Sequence, residues 1–220
     1  MTRRSVPFTI TSILVSTLLA MPLRAQAPAP QPGDTAASTF LRRLAADARA
    51  SAGAGAQGLV VFAAEPGVGR AELKLAHATV ADSTLAPVLQ RARAGLGSLR
   101  AAQPVVLHFR LDAAPDAIGP RRQPAIANAV EVRARVLRFV SDHFAGIFEG
   151  RRGMRVDLQL VVAREGDVPY ARVARSSGNP LVDAAALEIA RTMRFEPARA
   201  GGRAVDALVT FPLHFVVGEA

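Results

Sequence analysis

Between Met154 and Val217 the spacing of apolar residues switches twice, and the switches outline a complete small unit. Val156, Leu158, Leu160 and Val162 alternate with Asp157, Gln159 and Val161, the two-residue period of a half-buried strand. Arg164-Glu165-Gly166-Asp167 then reads as a hairpin turn, with glycine where a positive φ is needed. A second short strand runs through Tyr170 and Val173 until Ser176-Ser177-Gly178 breaks it, and Asn179-Pro180 has the form of an N-cap and first helical residue. From there Val182, Ala186, Ile189 and Met193 recur on one helical face, with Asp183, Glu188, Arg191 and Arg194 mostly away from it, and Pro197 stops the helix. After a Gly201-Gly202 turn, a last strand alternates Phe211, Leu213 and Phe215 with Thr210, Pro212 and His214. The expected fold class is α+β: a small antiparallel three-stranded sheet packed on helices. Proline cannot donate to a sheet ladder, so Pro212 predicts that this last strand is an edge on its own side.

The same order occurs upstream. Leu59 to Phe62 is strand-like, Glu65-Pro66-Gly67-Val68-Gly69 is a turn, and Leu73 and Leu75 alternate with Glu72, Lys74 and Ala76. Asp82 or Ser83 can cap a helix bearing Leu85, Val88, Leu89 and Ala92 on one side, and Val105, Leu107, Phe109 and Leu111 form a final alternating run. Both final strands contain Leu-His-Phe in the same phase, at Leu107-His108-Phe109 and Leu213-His214-Phe215. Helical stretches, Thr39 to Ala52 and Ala125 to Phe144, precede the two units. Two readings stand: a degenerate tandem duplication, or an unrelated α+β region over residues 35–112 joined by a helical connector, 113–153, to the unit at 154–217.

The N-terminus changes the setting. Arg3 and Arg4 precede an uncharged stretch from Ser5 to Leu23, and Leu23-Arg24-Ala25-Gln26-Ala27 places small residues at the two positions a cleavage site needs. Residues 1–27 are expected to be a secretory signal peptide, which predicts a periplasmic protein. The competing reading is an inner-membrane anchor over residues 5–23. A stiff Pro-rich tether follows at residues 28–34. The net charge is +9, and losing Arg3, Arg4 and Arg24 with a leader takes three from it and leaves +6. The remaining arginines are scattered among acids, which argues for a solvated basic surface rather than a nucleic-acid site.

Candidate chemistry is sparse. The chain has no cysteine, no tryptophan and one tyrosine, Tyr170, which removes thiolate nucleophiles, most structural zinc sites and base-stacking platforms. No two of His77, His108, His143 and His214 share metal-ligand spacing on a helix; His108 and His214 take outward strand positions, as exposed or interface residues do. Ser176 and Ser177, beside a helix start, read as turn and capping residues, and Asp157, Glu165 and Asp167 are spread over a strand and a turn. No catalytic residue, cofactor, metal or small-molecule substrate is expected, although an enzyme housed in Thr35 to Gly150 is a third reading.

Three runs together carry a resemblance. They are Val173-Ala174-Arg175-Ser176-Ser177-Gly178-Asn179-Pro180-Leu181-Val182-Asp183-Ala184-Ala185-Ala186-Leu187, Met193-Arg194-Phe195-Glu196-Pro197-Ala198, and Gly201 to Val205 continuing into Val209-Thr210-Phe211-Pro212-Leu213-His214-Phe215. In order and spacing they resemble the C-terminal domain of TonB, the energy transducer of Gram-negative outer-membrane transport, over residues 154–217. The resemblance implies a periplasmic module that takes extended segments of outer-membrane receptors, or of other envelope proteins, by strand addition. The strand offered would be Val205, Asp206, Ala207, Leu208, Val209, Thr210 and Phe211, with Phe195 and Pro197 as core and turn residues. Such an edge would also let two copies pair as a homodimer. The family's transducers keep a membrane helix bearing a Ser and a coupling His, and a long Pro-rich spacer. No histidine precedes His77 here, so the energy-coupling parts are not expected. The alternative from another class is an envelope scaffold whose two units pair edge to edge, leaving no strand to offer.

Overall fold

The computed structural model describes residues 35–99, 104–113, 122–150 and 152–217. The expected leader, anchor and tether, residues 1–34, lie outside them, and no helix among the described residues is long and apolar enough to cross a membrane.

The first unit consists of α1 (Thr35–Ala52), β1 (Leu59–Glu65), β2 (Arg70–Ala76), α2 (Ala86–Ala94) and β3 (Val105–Arg110). Its antiparallel sheet has the order β2-β1-β3. Phe40, Leu44, Ala45 and Ala48 of α1 and Val88 and Ala92 of α2 pack on Val60, Phe62, Leu107 and Phe109. Asp82 and Ser83, expected as caps of α2, do not cap it; they lie in a 3₁₀ turn, Asp82–Leu85, and the α-helix starts behind it at Ala86 with Pro87 in its first turn.

The second unit consists of β4 (Ala125–Ile126), α3 (Ala129–Asp142), β5 (Gly153–Val162), β6 (Tyr170–Arg175), α4 (Pro180–Thr192), β7 (Phe195–Glu196), β8 (Ala198–Ala200), β9 (Arg203–Val205) and β10 (Ala207–Val216). Its main sheet has the order β10-β5-β6, with β4-β7 and β8-β9 as two small ladders. The stretch expected to be helical from Ala125 therefore begins as a strand. Ala125 and Ile126 pair with Glu196 and Phe195, and Ala127 N–H donates to Arg194 O at 2.7 Å, fastening this segment beside β7. Helix α3 is not a connector, because its Val132, Val136 and Val140 enter one core with Val182, Ala186 and Ile189 of α4 and with Val156, Leu158, Leu160, Val209, Leu213 and Phe215 of the sheet.

Leaving aside the short strands β4 and β7 to β9, both units follow helix, strand, strand, helix, strand, with β1 and β5 central and β3 and β10 at an edge. The two sheets are separate, so the alternative in which the units pair edge to edge is corrected: the units meet face to face. Leu59, Val61 and Ala63 of β1 and Val106 of β3 pack against Val161, Ala163 and Tyr170, with Leu208 at the margin. This corrects the reading of β5 as half-buried. Its helix-facing residues fill the unit's own core, and Val161 and Ala163 on its other face are wholly buried against the first unit. Farther along that face the strand turns polar, with Gln159, Asp157 and Arg155.

Candidate functional site

The residues predicted to face a partner fall on two elements. Val205 ends β9, Asp206 joins the strands, and Ala207 to Phe211 form the first half of β10. Among the described residues β10 has β5 as its only strand partner, with Ala207 opposite Val162 and Val216 opposite Gly153 in an unbroken register.

The ladder's phase decides what the other side of β10 presents. Val217 N–H donates to Arg152 O at 3.1 Å, which makes 152 and 217 a hydrogen-bonded pair. Hydrogen-bonded pairs then recur every second residue, so Ala207, Val209, Phe211, Leu213 and Phe215 direct their amides at β5. Leu208, Thr210, Pro212 and His214 direct theirs outward. Pro212 therefore lacks its N–H on the outer side and costs the β5 ladder nothing, the placement a proline in a paired strand requires. The outer side offers a donor and an acceptor at Leu208 and at Thr210, then loses its donor at Pro212. An added strand meets an unbroken pattern over the segment that ends at Phe211, and the one missing donor at Pro212 separates it from the outward groups of His214 and Val216.

Side chains around this edge divide by face. Ala207, Val209, Leu213 and Phe215 are buried toward α3 and α4, and Phe195 packs edge-on against Phe211 with ring centroids 6.1 Å apart. Phe195, expected in the core, is 4% exposed and lies in β7 opposite Ile126. On the other face Leu208 and Tyr170 flank Val161 across the sheet, and Thr210 and Arg172 flank Gln159. Arg172 Nε donates to Gln159 Oε1 at 2.7 Å. Burial pushes the Tyr170 hydroxyl's pKa up, and the nearby Glu72 carboxylate pushes it the same way. His214 is half-buried, and burial together with neighbouring Arg155 lowers its pKa against the pull of Asp157.

Turn chemistry sets the strands' ends. Asn179 caps α4, its side-chain oxygen accepting from Leu181 N–H at 2.9 Å and Val182 N–H at 3.3 Å. Ser176 and Ser177 donate their hydroxyls to Asp183 at 2.5 and 2.8 Å, and Ser177 N–H reaches the same carboxylate at 2.8 Å. Both serines are committed to this turn. Gly201 and Gly202, at φ 57° and 81°, close the β8-β9 hairpin that feeds β10.

A second cluster was not legible in the sequence because its members come from both units. Arg110 of β3 is 6% exposed and pairs with Asp206 and Glu165. His77 Nε2 lies 3.0 Å from Asp167, and Arg164 reaches Glu165 and Asp112. Burial tends to raise the Glu165 pKa, but its own backbone N–H, Arg110, Arg164 and His77 outweigh burial and hold it below the ordinary value. His108 faces this seam half-buried, and burial lowers its pKa against the pull of Asp206. Ligand atoms of His77, Glu165 and Asp167 approach within 4.8 Å of one another. The Glu165 oxygens are already engaged by two arginines, so ion pairing between the units accounts for the grouping.

Residues 149–217 match the family model described as the Gram-negative bacterial TonB protein C-terminal. This part of the chain is a TonB C-terminal-type domain, which supports a TonB-like envelope protein linked to outer-membrane transport. The match spans under a third of the chain and leaves the first unit outside it. A search of curated proteins found no significant match.

Proposed function

We propose that this chain is a periplasmic, non-enzymatic binding protein that takes extended segments of outer-membrane receptors as an added strand on β10. The observation that carries the proposal is the phase of the β10 ladder. Leu208 and Thr210 turn their backbone groups away from β5, so the segment before Pro212 presents donors and acceptors in alternation to an incoming strand. Main-chain pairing supplies affinity in this mode, and side chains on the added strand supply selectivity by meeting the two faces of the sheet. The covered outer face of the sheet supports the same reading. With Val161 and Tyr170 buried under the first unit, the apolar area is satisfied internally and an incoming segment is left the edge.

The test is capture of synthetic peptides from receptor N-terminal segments by the full chain, compared with Thr210→Pro. That variant removes an outward donor and leaves the β5 ladder its bonds. Binding by the wild type with a loss of about tenfold in Thr210→Pro is expected, a lost main-chain hydrogen bond being worth about 1–1.5 kcal/mol. No capture of any receptor segment, or equal capture by both proteins, would count against strand addition at this edge.

A further inference from the structure

The buried arginine between the two units reaches the residue that begins the candidate edge. Arg110 donates from Nε to Asp206 Oδ2 at 2.9 Å and from Nη2 to Asp206 Oδ1 at 3.0 Å, a two-pronged contact. The same Nη2 donates to Glu165 at 3.0 Å. Asp206 Oδ1 also accepts the backbone N–H of Arg164 at 3.0 Å. One carboxylate thus ties together the end of the first unit's β3, the turn after β5, and the start of β10. Asp206 is the single residue between β9 and β10, two positions before the first outward amide, Leu208.

We infer that Arg110 is a positioning residue for the partner-binding edge: from the first unit it fixes Asp206, and so holds the opening half of β10 on β5 in the register that an added strand needs. The inference rests on the reading of β10 as the binding edge. Its physical case begins with the ladder's end. Beyond Ala207 the chain leaves β5, and Val205 pairs with Ala198 in a different ladder. A terminal pair of this kind opens readily unless something outside the ladder holds it. The Arg110–Asp206 contact is nearly removed from solvent, so losing one partner leaves the other charge buried and uncompensated. A loosened strand must then be ordered when a partner adds to it, and that ordering lowers affinity. The first unit would in this way set binding strength without touching the partner.

Site-resolved amide exchange on the full chain tests this, comparing wild type, Arg110→Gln and Arg172→Gln. The third variant is a control: Arg172 also crosses between the units, donating to Pro104 O at 3.3 Å, but from β6. In Arg110→Gln the β5-directed amides of Ala207 and Val209 are expected to exchange about tenfold faster or more, while Leu213 and Phe215 stay within about twofold. Arg172→Gln should leave all four unchanged. Unchanged exchange at Ala207 and Val209, or a uniform rise across both units, would overturn the inference. If Arg110→Gln does not fold, Asp206→Asn, which leaves Arg110 its bond to Glu165, is expected to give the same local pattern. Arg110→Gln should also bind the receptor-segment peptide captured by wild type about three- to tenfold more weakly; equal affinity would overturn the coupling to binding. If wild type captures no such peptide, the partner reading fails, while the exchange pattern still decides whether Arg110 positions the strand.

Discussion

Gly166 shows how much one position in a turn can hold. Its φ is 89°, a Cβ there would lie 2.2 Å from Phe195 O, and its own carbonyl accepts Phe195 N–H at 2.7 Å. An alanine would meet both backbone strain and a fixed carbonyl, so Gly166→Ala should cost about 2–4 kcal/mol in a denaturant melt; a loss under about 1 kcal/mol would mean the turn moves aside freely. Asp183 makes a pH-dependent case. Burial tends to raise its pKa, but donors from Ser176 and Ser177 outweigh burial and hold it below the ordinary value. Because the folded pKa is depressed, the stabilisation is complete above the unfolded-state value, about 4, and fades as pH falls through the folded one. Asp183→Asn should therefore cost about 1 kcal/mol at pH 7, and the gap to wild type should close in melts taken at progressively lower pH below about 4. A gap that persisted in acid would rule out the carboxylate as its source. The sequence placed Asp183 off the apolar face of its helix, correctly, but periodicity has no way to signal that the two preceding serines fold back onto it.

At the scale of elements, the phase of β10 distinguishes neighbouring residues. Val209 donates its amide to β5, whereas Thr210 does not. Val209→Pro should destabilise the fold by about 3 kcal/mol or more, and Thr210→Pro by about 1 kcal/mol or less, as Pro212 already sits at the same phase. Equal losses in thermal or denaturant melts would contradict the assigned phase. The strands of the two main sheets, α4, its Asn179 cap and the edge at Pro212 were legible in the sequence, because each follows from local period or a residue's own backbone chemistry, whereas the short strands β7, β8 and β9 were not expected. Strand β4 was not: Ala125 and Ile126 acquire strand geometry from pairing with β7, some seventy residues later. The caps expected at Asp82 and Ser83 failed for a local reason: a 3₁₀ turn over Asp82–Leu85 precedes α2, which starts at Ala86 with Pro87 in its first turn.

At the scale of the whole molecule, the two units form a stacked pair of sheets whose seam is apolar at Val61, Val106, Val161 and Tyr170 and ionic at Arg110, Asp206 and Glu165. The sequence carried half of this. It showed the repeated order of elements, and the final strands do occupy equivalent edge positions in the two sheets. How the units meet was hidden, because an apolar residue at an outward strand position, such as Val161, has the same pattern whether it meets solvent, a partner or another part of its own chain. Among the described residues, the first unit packs on the face of the C-terminal sheet at Val161 and Tyr170, and β10 has β5 as its only strand partner, which is the arrangement that the proposed strand addition needs. Amide exchange on the full chain, with and without a captured receptor-segment peptide, addresses that claim most directly. Binding should slow exchange at the outward amides of Leu208 and Thr210 by about tenfold or more, with little change at Val209 and Phe211, which already donate to β5. Saturating peptide that left Leu208 and Thr210 unprotected, or that protected β2 or β6 instead, would contradict the account.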